Sequence, residues 1–409
     1  PLTILLFLFF HLSAKAQDTQ FIGFRFLDEQ KTKVSIPFTL RNNLIIIPVL
    51  VNDAVPLQFV VDTGVRTAII TDRTYTDLLK VEYVRKLTMV GADGITPVNA
   101  LVAQNISFRL PGGVLGTAQS ALVLEEDYLL LSKTIGSDVH GIIGYELFSR
   151  YVVEIDYQTS TMTLHDPRYI KPKKRFSAFD LTIEDTKPYM RAQVVLQDST
   201  EVRCKLLIDT GASHAMLLHL GSHPDFKLPP QVIPANLGRG LGGNIIGHFG
   251  RVGTLSFGNY AIPGAIISFA SEENYSEVYQ STERQGSLGG GITSRFHTII
   301  DYFSEKIYLR KNRWYRRKFE YNMSGIQVSA REPYYDRIYV QEVAPGAVAA
   351  RAGVLQGDEI VLINGRHAAT FGITAINDLY RSKVNKRIKV RLRRNGRIQV
   401  IRFDLERVL

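Results

Sequence analysis

The sequence contains a single cysteine, Cys204, among its 409 residues, so it cannot form an internal disulfide. It has no H-E-x-x-H motif to suggest a zinc peptidase and no G-x-S-x-G turn to support a serine nucleophile, although composition alone leaves a Ser–His–Asp triad open. Hydrophobic residues make up 45% and charged residues 22%, which is typical of a globular protein. Its stability must therefore come from packing, with Cys204 as a small core residue.

The sequence also has no apolar run of transmembrane length. Its first apolar stretch, residues 2–10, is too short to span a bilayer and is followed by the A-x-A pattern Ala14-Lys15-Ala16. We interpret residues 1–16 as a secretory signal peptide whose basic start is missing, with the mature chain beginning near Gln17. No cysteine follows for lipid attachment. The expected location is therefore periplasmic or secreted, without integral membrane insertion.

The net charge is +10, and much of the basic excess follows residue 310. There Lys389, Arg391 and Arg393 alternate with apolar residues, which predicts the solvated face of a half-buried strand. No recognition motif accompanies these charges, so a nucleic-acid partner is not expected. Contact with an anionic membrane surface stays open as a minority interpretation.

The most informative feature is a duplicated tripeptide. Asp62-Thr63-Gly64 and Asp209-Thr210-Gly211 lie 147 positions apart, and each directly follows an apolar run. The flanking residues also match at this spacing. Each copy predicts a strand that delivers a carboxylate into a tight glycine turn, and two copies predict two lobes with facing acids.

A second pair of matching segments closes each half. Gly144 ends a G-I-I-G element before residues 156–157, and Gly289 ends a G-S-L-G element before residues 301–302. We predict a signal peptide over 1–16, a first lobe over 17–165, a linker over 166–175, a second lobe over 176–311 and a further small domain over 312–409.

The paired Asp-Thr-Gly turns with their later glycine elements resemble aspartic proteases of the retropepsin and pepsin type. Residues 343–346 (V-A-P-G), 349–353 (A-A-R-A-G), 356–360 (Q-G-D-E-I) and 363–365 (I-N-G) resemble a bacterial PDZ domain. Together they resemble exported bacterial aspartyl protease–PDZ proteins. The resemblance implies an all-β bilobal aspartic protease fold followed by an α+β PDZ domain.

This resemblance also implies roles for particular residues. Two carboxylates about 3 Å apart cannot both ionise, so Asp62 and Asp209 would share one proton and act as a catalytic pair. The resemblance also implies supporting roles for three pairs of residues. Gly64 and Gly211 would let the turns approach closely, Thr63 and Thr210 would cross-link them by buried hydrogen bonds, and Gly144 and Gly289 would pack behind them. No cofactor and no metal is expected.

Two departures from the family pattern concern pH. Many pepsin-like enzymes have a hydroxyl residue after each Asp-Thr-Gly, whereas this sequence has Val65 and Ala212. With fewer donors to stabilise the anion, we expect the pair to titrate higher and to work nearer neutral pH. Arg66 opposes this trend, because a nearby cation favours ionisation.

Two segments are candidate flaps over a substrate cleft. The first would be residues 90–95, including Gly91, Asp93 and Gly94, without a counterpart of the pepsin flap tyrosine. The second would be residues 238–243, including Gly240 and Gly242. This second segment also fits G-x-G-x-x-G, but no helical pattern follows, so a β-turn is favoured over a dinucleotide loop.

The histidines carry weaker signals. His214 and His219 are five residues apart with no acidic partner at metal-ligand spacing, so they do not predict a metal site. We interpret His140, beside Gly141, as a structural or cleft-wall residue.

The resulting hypothesis is an aspartic endopeptidase that binds an extended polypeptide. Its PDZ turn, Ser324, Gly325 and Ile326, would capture the C-terminal carboxylate of a substrate or partner. Two alternatives stay open: a non-catalytic peptide-binding scaffold, and a signalling adaptor in which cleavage is rare. The sequence fixes neither the substrate nor the oligomeric state.

Overall fold

The computed structural model describes residues 22–409 except residues 80, 91–95, 242, 273–279 and 332, and it does not describe the side chains at 78 and 90. The predicted signal peptide lies outside the described residues. Within them the strands form four sheets, one in each lobe, one shared between the lobes and one in the C-terminal domain. The predicted fold class, a bilobal all-β unit followed by an α+β domain, is confirmed.

The first lobe is built on a nine-stranded sheet in the order β1-β9-β6-β10-β5-β4-β8-β7, with β3 paired to β4. Its strands are β1 (Gly23–Phe26), β3 (Thr39–Arg41), β4 (Leu44–Val51), β5 (Val55–Val61), β6 (Ala68–Ile70), β7 (Tyr83–Val90), β8 (Pro97–Leu110), β9 (Val114–Leu124) and β10 (Gly141–Ile143).

The second lobe repeats this plan in a ten-stranded sheet, β18-β19-β22-β17-β23-β16-β15-β20-β21, with β14 paired to β15. Its strands are β14 (Thr182–Glu184), β15 (Lys187–Val195), β16 (Glu201–Ile208), β17 (Met216–His219), β18 (Val232–Gly240), β19 (Gly243–Arg251), β20 (Thr254–Phe257), β21 (Tyr260–Pro263), β22 (Ile266–Ala270) and β23 (Gly286–Leu288).

A six-stranded sheet, β13-β25-β24-β11-β12-β2, joins the two lobes. Its strands are β2 (Lys33–Pro37), β11 (Val152–Asp156), β12 (Thr161–His165), β13 (Ser177–Asp180), β24 (Phe296–Asp301) and β25 (Lys306–Lys311). The antiparallel pair β11–β24 places one strand of each lobe at its centre. The lobes are therefore continuous through main-chain hydrogen bonds.

The two tyrosines that end the repeated anchors cross this seam. The hydroxyl of Tyr157 lies 3.0 Å from Oγ1 of Thr293 in the second lobe. The ring of Tyr302 stacks on Phe148 of the first lobe, with 5.6 Å between ring centroids. Each lobe therefore has one tyrosine whose side chain contacts a residue of the other lobe.

Charges at the seam are divided unequally between the lobes. The carboxylate of Glu154, on β11, lies 2.7 Å from Nε2 of His165 and 2.6 Å from Nε2 of His297 on β24. Asp156 lies 3.3 Å from the other nitrogen of His297. The first lobe therefore supplies the acids that meet a second-lobe histidine.

Short helices connect the strands of the lobes. Those described are α1 (Arg73–Leu78), α2 (Leu131–Ile135), α3 (Tyr145–Phe148) and α4 (Gly290–Thr293), with a 3₁₀ turn over Leu220–Ser222. The helix α1 begins at Asp72, whose carboxylate accepts a hydrogen bond from the Thr74 N–H, as an N-cap does. Among the described residues, no helix has the length and apolar character needed to cross a membrane.

Residues in left-handed conformation set the hairpin registers. Asn42 and Asn43 connect β3 to β4 with φ of 46° and 65°, and Asp185 and Thr186 connect β14 to β15 with φ of 43° and 72°. Two consecutive positive φ angles give the turn that matches strand twist, and asparagine and aspartate tolerate it well. The two hairpins occupy corresponding positions in the two lobes.

The C-terminal domain has its own five-strand sheet path, β26-β27-β28-β30-β31, with β29 paired to β28. Its elements are β26 (Ile326–Ala330), β27 (Ile338–Val343), α5 (Val348–Arg351), β28 (Glu359–Ile363), β29 (Arg366–His367), α6 (Ala368–Tyr380), β30 (Arg387–Arg394) and β31 (Arg397–Asp404). The helix α6 bends at Gly372, whose φ is 68°. Lys389, Arg391 and Arg393 of β30 are exposed and alternate with buried Ile388, Val390 and Leu392, as the sequence predicted.

The buried residues follow this division. One hydrophobic core runs through both lobes and the shared sheet, and a separate core fills the C-terminal domain. Cys204 belongs to the first of these cores, and burial raises the pKa of its thiol to about 12. The thiol therefore packs as an apolar group.

Candidate active site

Both Asp-Thr-Gly turns are held by the same strand arrangement. In the first lobe β10 lies between β5, to which it is parallel, and β6, to which it is antiparallel. In the second lobe β23 lies between β16 and β17 in the same way. The central strand receives hydrogen bonds on both sides, so each turn that follows β5 or β16 is rigidly placed.

The two threonines cross-link the turns through buried hydrogen bonds. The Thr63 N–H donates to Oγ1 of Thr210 at 3.1 Å, and the Thr210 N–H donates to Oγ1 of Thr63 at 3.1 Å. Each hydroxyl then donates to a carbonyl of the opposite strand, Thr63 to Ile208 at 2.5 Å and Thr210 to Val61 at 2.9 Å. Donors and acceptors of both threonine hydroxyls are satisfied across the seam.

This cross-link places Asp62 and Asp209 beside each other. A Cβ on Gly64 would lie 3.0 Å from Oδ1 of Asp62 and 3.8 Å from Oδ1 of Asp209, so both carboxyl groups flank one point. The Gly64 N–H donates to Oδ1 of Asp62 at 2.6 Å, and the Gly211 N–H donates to Oδ1 of Asp209 at 3.1 Å. Both aspartates remain partly exposed, so solvent reaches the pair.

Glycine is required in the second turn because the opposite carboxylate lies against it. A Cβ atom on Gly211 would lie 2.2 Å from Cγ of Asp62, far inside van der Waals contact. A Cβ on Gly64 would meet Oδ1 of Asp62 at 3.0 Å and Cγ of Asp209 at 3.8 Å. The close approach is therefore unequal, with Asp62 leaning over the second turn.

Gly144 and Gly289 pack directly behind the turns. A Cβ on Gly144 would lie 1.9 Å from the carbonyl oxygen of Asp62, and one on Gly289 would lie 2.4 Å from that of His214. Any side chain at these two positions would push the turn backbone forward.

Burial dominates the acidity of the pair. It raises the pKa of Asp62, while the backbone N–H of Gly64 and the hydrogen bond from Asp209 lower it. Burial, and then the negative charge of Asp62, raise the pKa of Asp209. Because the two groups interact this strongly, a shared proton would belong to the pair and not to either residue alone.

Two cations of the second lobe act on the pair, and the sequence analysis did not identify either. The charge of Lys187 lowers the pKa of Asp62, and the charge of Arg284 lowers that of Asp209. Arg66, which the sequence placed near the acids, extends instead to Asp185 across the seam at 3.3 Å. Lys187 follows the 185–186 hairpin turn and comes near the aspartates only when the chain is folded.

The second predicted flap is the hairpin of β18 and β19, whose tip pairs Gly240 with Gly243. A strand on each side of the tip excludes a dinucleotide-binding loop. The hairpin reaches the first lobe, where Arg239 Nε donates to the Tyr128 carbonyl at 2.5 Å and Leu241 packs on first-lobe apolar residues.

The other predicted flap residues lie largely outside the description. Gly91, Asp93 and Gly94 are outside the described residues, and so is Gly242. The strands β7 and β8, which precede and follow residues 91–95, pair antiparallel from Tyr83 to Val90.

The histidines take structural positions. His140 Nδ1 accepts a hydrogen bond from the Gln58 N–H at 2.9 Å, and the side chain of Gln285 does the same for the Lys205 N–H in the other lobe. His214 Nε2 lies 2.9 Å from the hydroxyl of Ser287, and burial lowers the pKa of His214 to about 4. In the described part of the chain, no cluster of histidine, cysteine and carboxylate groups is arranged to bind a metal.

The predicted PDZ turn is tightly organised. Ser324 is fully buried, and its hydroxyl lies 2.7 Å from Oδ1 of Asn322 and accepts the Ile326 N–H at 3.0 Å. Gly325 has a φ of 77°, and a Cβ there would lie 2.2 Å from Cβ of Ala347. One N–H of the turn is therefore already bonded before any ligand arrives.

Comparison with known proteins gives information on both parts of the chain. No curated protein matches it. Among solved structures, basic 7S globulin from soybean superposes with a TM-score of 0.42 and 10% identity, covering 69% of this chain and 95% of that one. This overlap is loose, and the fold of the lobes stands on the strand pairings described above. Residues 324–405 match the family described as PDZ domain, and the C-terminal domain is a PDZ domain.

Proposed function

We propose that the chain is an aspartic endopeptidase related to the exported bacterial aspartyl protease–PDZ proteins. The observation that carries the proposal is the juxtaposition of Asp62 and Asp209, which sit in duplicated glycine turns joined by the hydrogen bonds of Thr63 and Thr210. Such a pair, sharing one proton, supplies a base and an acid at one place, as the known aspartic proteases do.

The unequal surroundings of the two acids support separate roles at the start of the reaction. Asp62, which accepts the Gly64 N–H, would start as the carboxylate and take a proton from water as the hydroxyl adds to the peptide carbonyl carbon. Asp209 would give its proton to the carbonyl oxygen. When the C–N bond breaks, the proton on Asp62 passes to the leaving nitrogen and the diol returns one to Asp209, which restores the pair.

The substrate would be an extended polypeptide lying between the β7–β8 and β18–β19 hairpins. Extended chains bind such clefts through main-chain hydrogen bonds, like an added strand. The contact of Arg239 with the Tyr128 carbonyl supports a cleft that the second hairpin covers from one lobe to the other.

The PDZ domain would recruit a peptide, from the substrate or from a partner protein. Its preformed turn at Ser324, Gly325 and Ile326 supports capture of a chain terminus. Export, to the periplasm or beyond, is part of the same proposal and rests on residues 1–16 of the sequence.

Cleavage of a diverse peptide library tests the proposal. We expect cleavage that a pepstatin-like inhibitor suppresses and that Asp62→Asn and Asp209→Asn each abolish, with the fold unchanged by circular dichroism. A protein that binds peptides but cleaves none, with wild type and Asp209→Asn indistinguishable, would instead be the non-catalytic scaffold. The conservative Asp185→Asn variant, changed at an exposed carboxylate, should still cleave.

A further inference from the structure

The β3–β4 turn of the first lobe consists of Asn42 and Asn43, and Asn43 reaches the second Asp-Thr-Gly turn. Its Nδ2 donates at 3.0 Å to the carbonyl of Ser213, which follows Asp209 by four residues (213 − 209). Its own carbonyl lies against α4, since a Cβ on Gly290 would lie 2.3 Å from that oxygen. The chain that leaves the second turn is therefore in contact with Asn43.

The helix α4 carries this contact back to the same chain segment. The Gly290 N–H donates to the Ala212 carbonyl at 2.7 Å, and the Gly291 N–H donates to the His214 carbonyl at 2.9 Å. The segment that follows the second aspartate is thus held by Asn43 both directly and through α4. Because these are main-chain bonds, a shift of the β3–β4 turn must move the backbone next to that aspartate.

The neighbouring Asn42 joins the same turn to the PDZ domain. Its N–H donates to Oγ1 of Thr374 on α6 at 3.2 Å, and the Thr374 hydroxyl donates to Oδ1 of Asn42 at 3.2 Å. A further bond, from Nδ2 of Asn42 to the Thr134 carbonyl at 3.2 Å, orients the amide. The turn has only two residues between the paired strands, and both have positive φ, so Asn42 can move little without moving Asn43.

The corresponding turn of the second lobe makes a different contact. There Asp185 pairs with Arg66 of the first lobe at 3.3 Å. Arg66 and Ser213 are matching positions, each four residues after its aspartate (66 − 62 and 213 − 209). Both side chains of the ion pair are more than half exposed, and exposed pairs contribute little to stability. The two aspartate turns are thus held unequally, the first by an exposed ion pair and the second by a turn that is bonded to the PDZ domain.

We propose that Thr374 of the PDZ domain is a positioning residue for Asp209 and acts through the Asn42–Asn43 turn. This inference rests on the proposed catalytic role of Asp209, although the contacts themselves can be tested without cleavage. The Thr374 hydroxyl bonds to Asn42, so its effect on the carboxyl group is indirect. It fixes the main chain from which Asp209 projects, and a misplacement of about 1 Å in a catalytic group costs about a hundredfold in rate.

Hydrogen exchange on the full chain tests this path without any substrate. Thr374→Val removes the hydroxyl and keeps a β-branched side chain. Residues 211–215 and 289–291 should exchange about threefold faster than in the unmodified chain, as expected for the loss of one or two hydrogen bonds. The matching first-lobe segments, residues 64–68 and 144–146, should keep their rates.

Two further variants make this result specific. Thr370→Val is the matched control, because Thr370 lies one turn earlier on α6, is exposed, and donates its hydroxyl to the His367 carbonyl at the start of the same helix. It should leave all four segments unchanged. Asn42→Gly breaks the same connection from the first lobe and keeps a residue suited to positive φ. It should reproduce the effect of Thr374→Val, and it decides the question if that variant does not fold.

The kinetics of peptide cleavage give a second readout. Thr374→Val should lower kcat about threefold to tenfold with KM nearly unchanged, because it alters the placement of an acid and no contact with the substrate. Thr374→Ser, which retains the hydroxyl, should restore kcat. In a chain that carries Asn43→Gly, Thr374→Val should lower kcat by less than it does alone, because both changes act on one path.

The exchange rates also define the results that contradict the proposal. Unchanged exchange at residues 211–215 in both Thr374→Val and Asn42→Gly would overturn it, because the turn would then move without the aspartate. Equal acceleration of residues 64–68 and 211–215 would overturn it as well, since the loosening would be general. If the unmodified chain cleaves no peptide, the proposed activity fails, and the exchange rates still decide whether Thr374 positions the second turn.

Discussion

The two lobes share a backbone plan and differ in the charges that they bring to it. Both place a three-stranded arrangement beneath an Asp-Thr-Gly turn, and both use a left-handed hairpin turn that contacts the other lobe. In the first lobe that turn uses Asn43, which donates to the Ser213 carbonyl at 3.0 Å. In the second it uses Asp185, which pairs with Arg66. A neutral contact is thus matched by an ionic one.

The same inequality extends to the candidate active site. The second lobe supplies the cations Lys187 and Arg284, and the first supplies a partly buried carboxylate, Glu146, that accepts the Ala68 N–H at 2.6 Å. In the second lobe the position matching Glu146 in the later anchor is Gly291. The two lobes therefore repeat the backbone geometry around the aspartates and surround them with different side chains.

The largest difference between the lobes is expected when one methyl group is added to each Asp-Thr-Gly turn. Gly211→Ala should lower kcat at least about a hundredfold, because the new Cβ would lie 2.2 Å from Cγ of Asp62 and must displace that carboxylate. Gly64→Ala, with its nearest contact at 3.0 Å, should lose about tenfold or less. Steady-state kinetics on one peptide compares them, and equal losses would contradict the unequal approach.

The threonine cross-link should instead behave symmetrically. Thr63→Val removes the hydroxyl that bonds to the Thr210 N–H and to the Ile208 carbonyl. Thr210→Val removes the hydroxyl that bonds to the Thr63 N–H and to the Val61 carbonyl. Each should cost about 2–5 kcal/mol of unfolding free energy in denaturant titrations. The double variant should cost less than the sum of the two, since both remove one network. Strongly different single losses would refute the symmetry.

Acid should weaken the seam between the lobes. Hydrogen bonds from His165 and then His297 hold the pKa of Glu154 well below its usual value. A depressed carboxylate pKa stabilises the fold above the unfolded pKa of about 4.3, and that stabilisation is lost as pH falls toward the folded value. Glu154→Gln should therefore cost about 1–3 kcal/mol at neutral pH and progressively less in acid. A penalty that does not change with pH would contradict this.

The smallest effect is expected from replacing one charged residue of the second lobe by the apolar residue at the corresponding position of the first. The residue that follows the first-lobe turn is Leu44, and Lys187 follows the corresponding turn of the second. Because its charge lowers the pKa of Asp62, Lys187→Leu should raise that pKa and move the acid limb of the pH–rate profile to higher pH. Lys389→Leu in the PDZ domain should leave the profile unchanged.

The unmodified profile gives a related check. With burial raising the pKa of both acids, peak activity should lie above the unperturbed aspartate pKa of about 3.9 and decline in strong acid, where both are protonated. An optimum confined to strong acid would contradict the assignment of raised pKa values.

The sequence carried the information for the fold because its strongest signals were local. An apolar run entering Asp-Thr-Gly is a strand and a turn, and its second copy predicts a second lobe. The alternation of Lys389, Arg391 and Arg393 with apolar residues likewise predicted β30. In each case the pattern of neighbouring residues determines the backbone conformation.

The remaining site features depend on contacts between distant segments. Lys187 acts on Asp62 only because the β14–β15 turn folds back to the seam, and Arg66 pairs with Asp185 only because the lobes face each other. The hydrogen bond from the Thr374 hydroxyl to the Asn42 side chain joins residues 332 positions apart. No local pattern marks such partners, since each side chain is ordinary in its own segment.

The shared six-stranded sheet has a consequence for how the protein is made. It draws β2 from near the start of the first lobe and β25 from the end of the second, so residues 33–37 must wait for residues 306–311 before the sheet is complete. Such distant pairings fold slowly. A nascent chain that has not been synthesised past residue 209 lacks the second aspartate, and the sheet that joins the lobes is complete only after residue 311. The two aspartates are therefore brought together late, when nearly all of both lobes has been made.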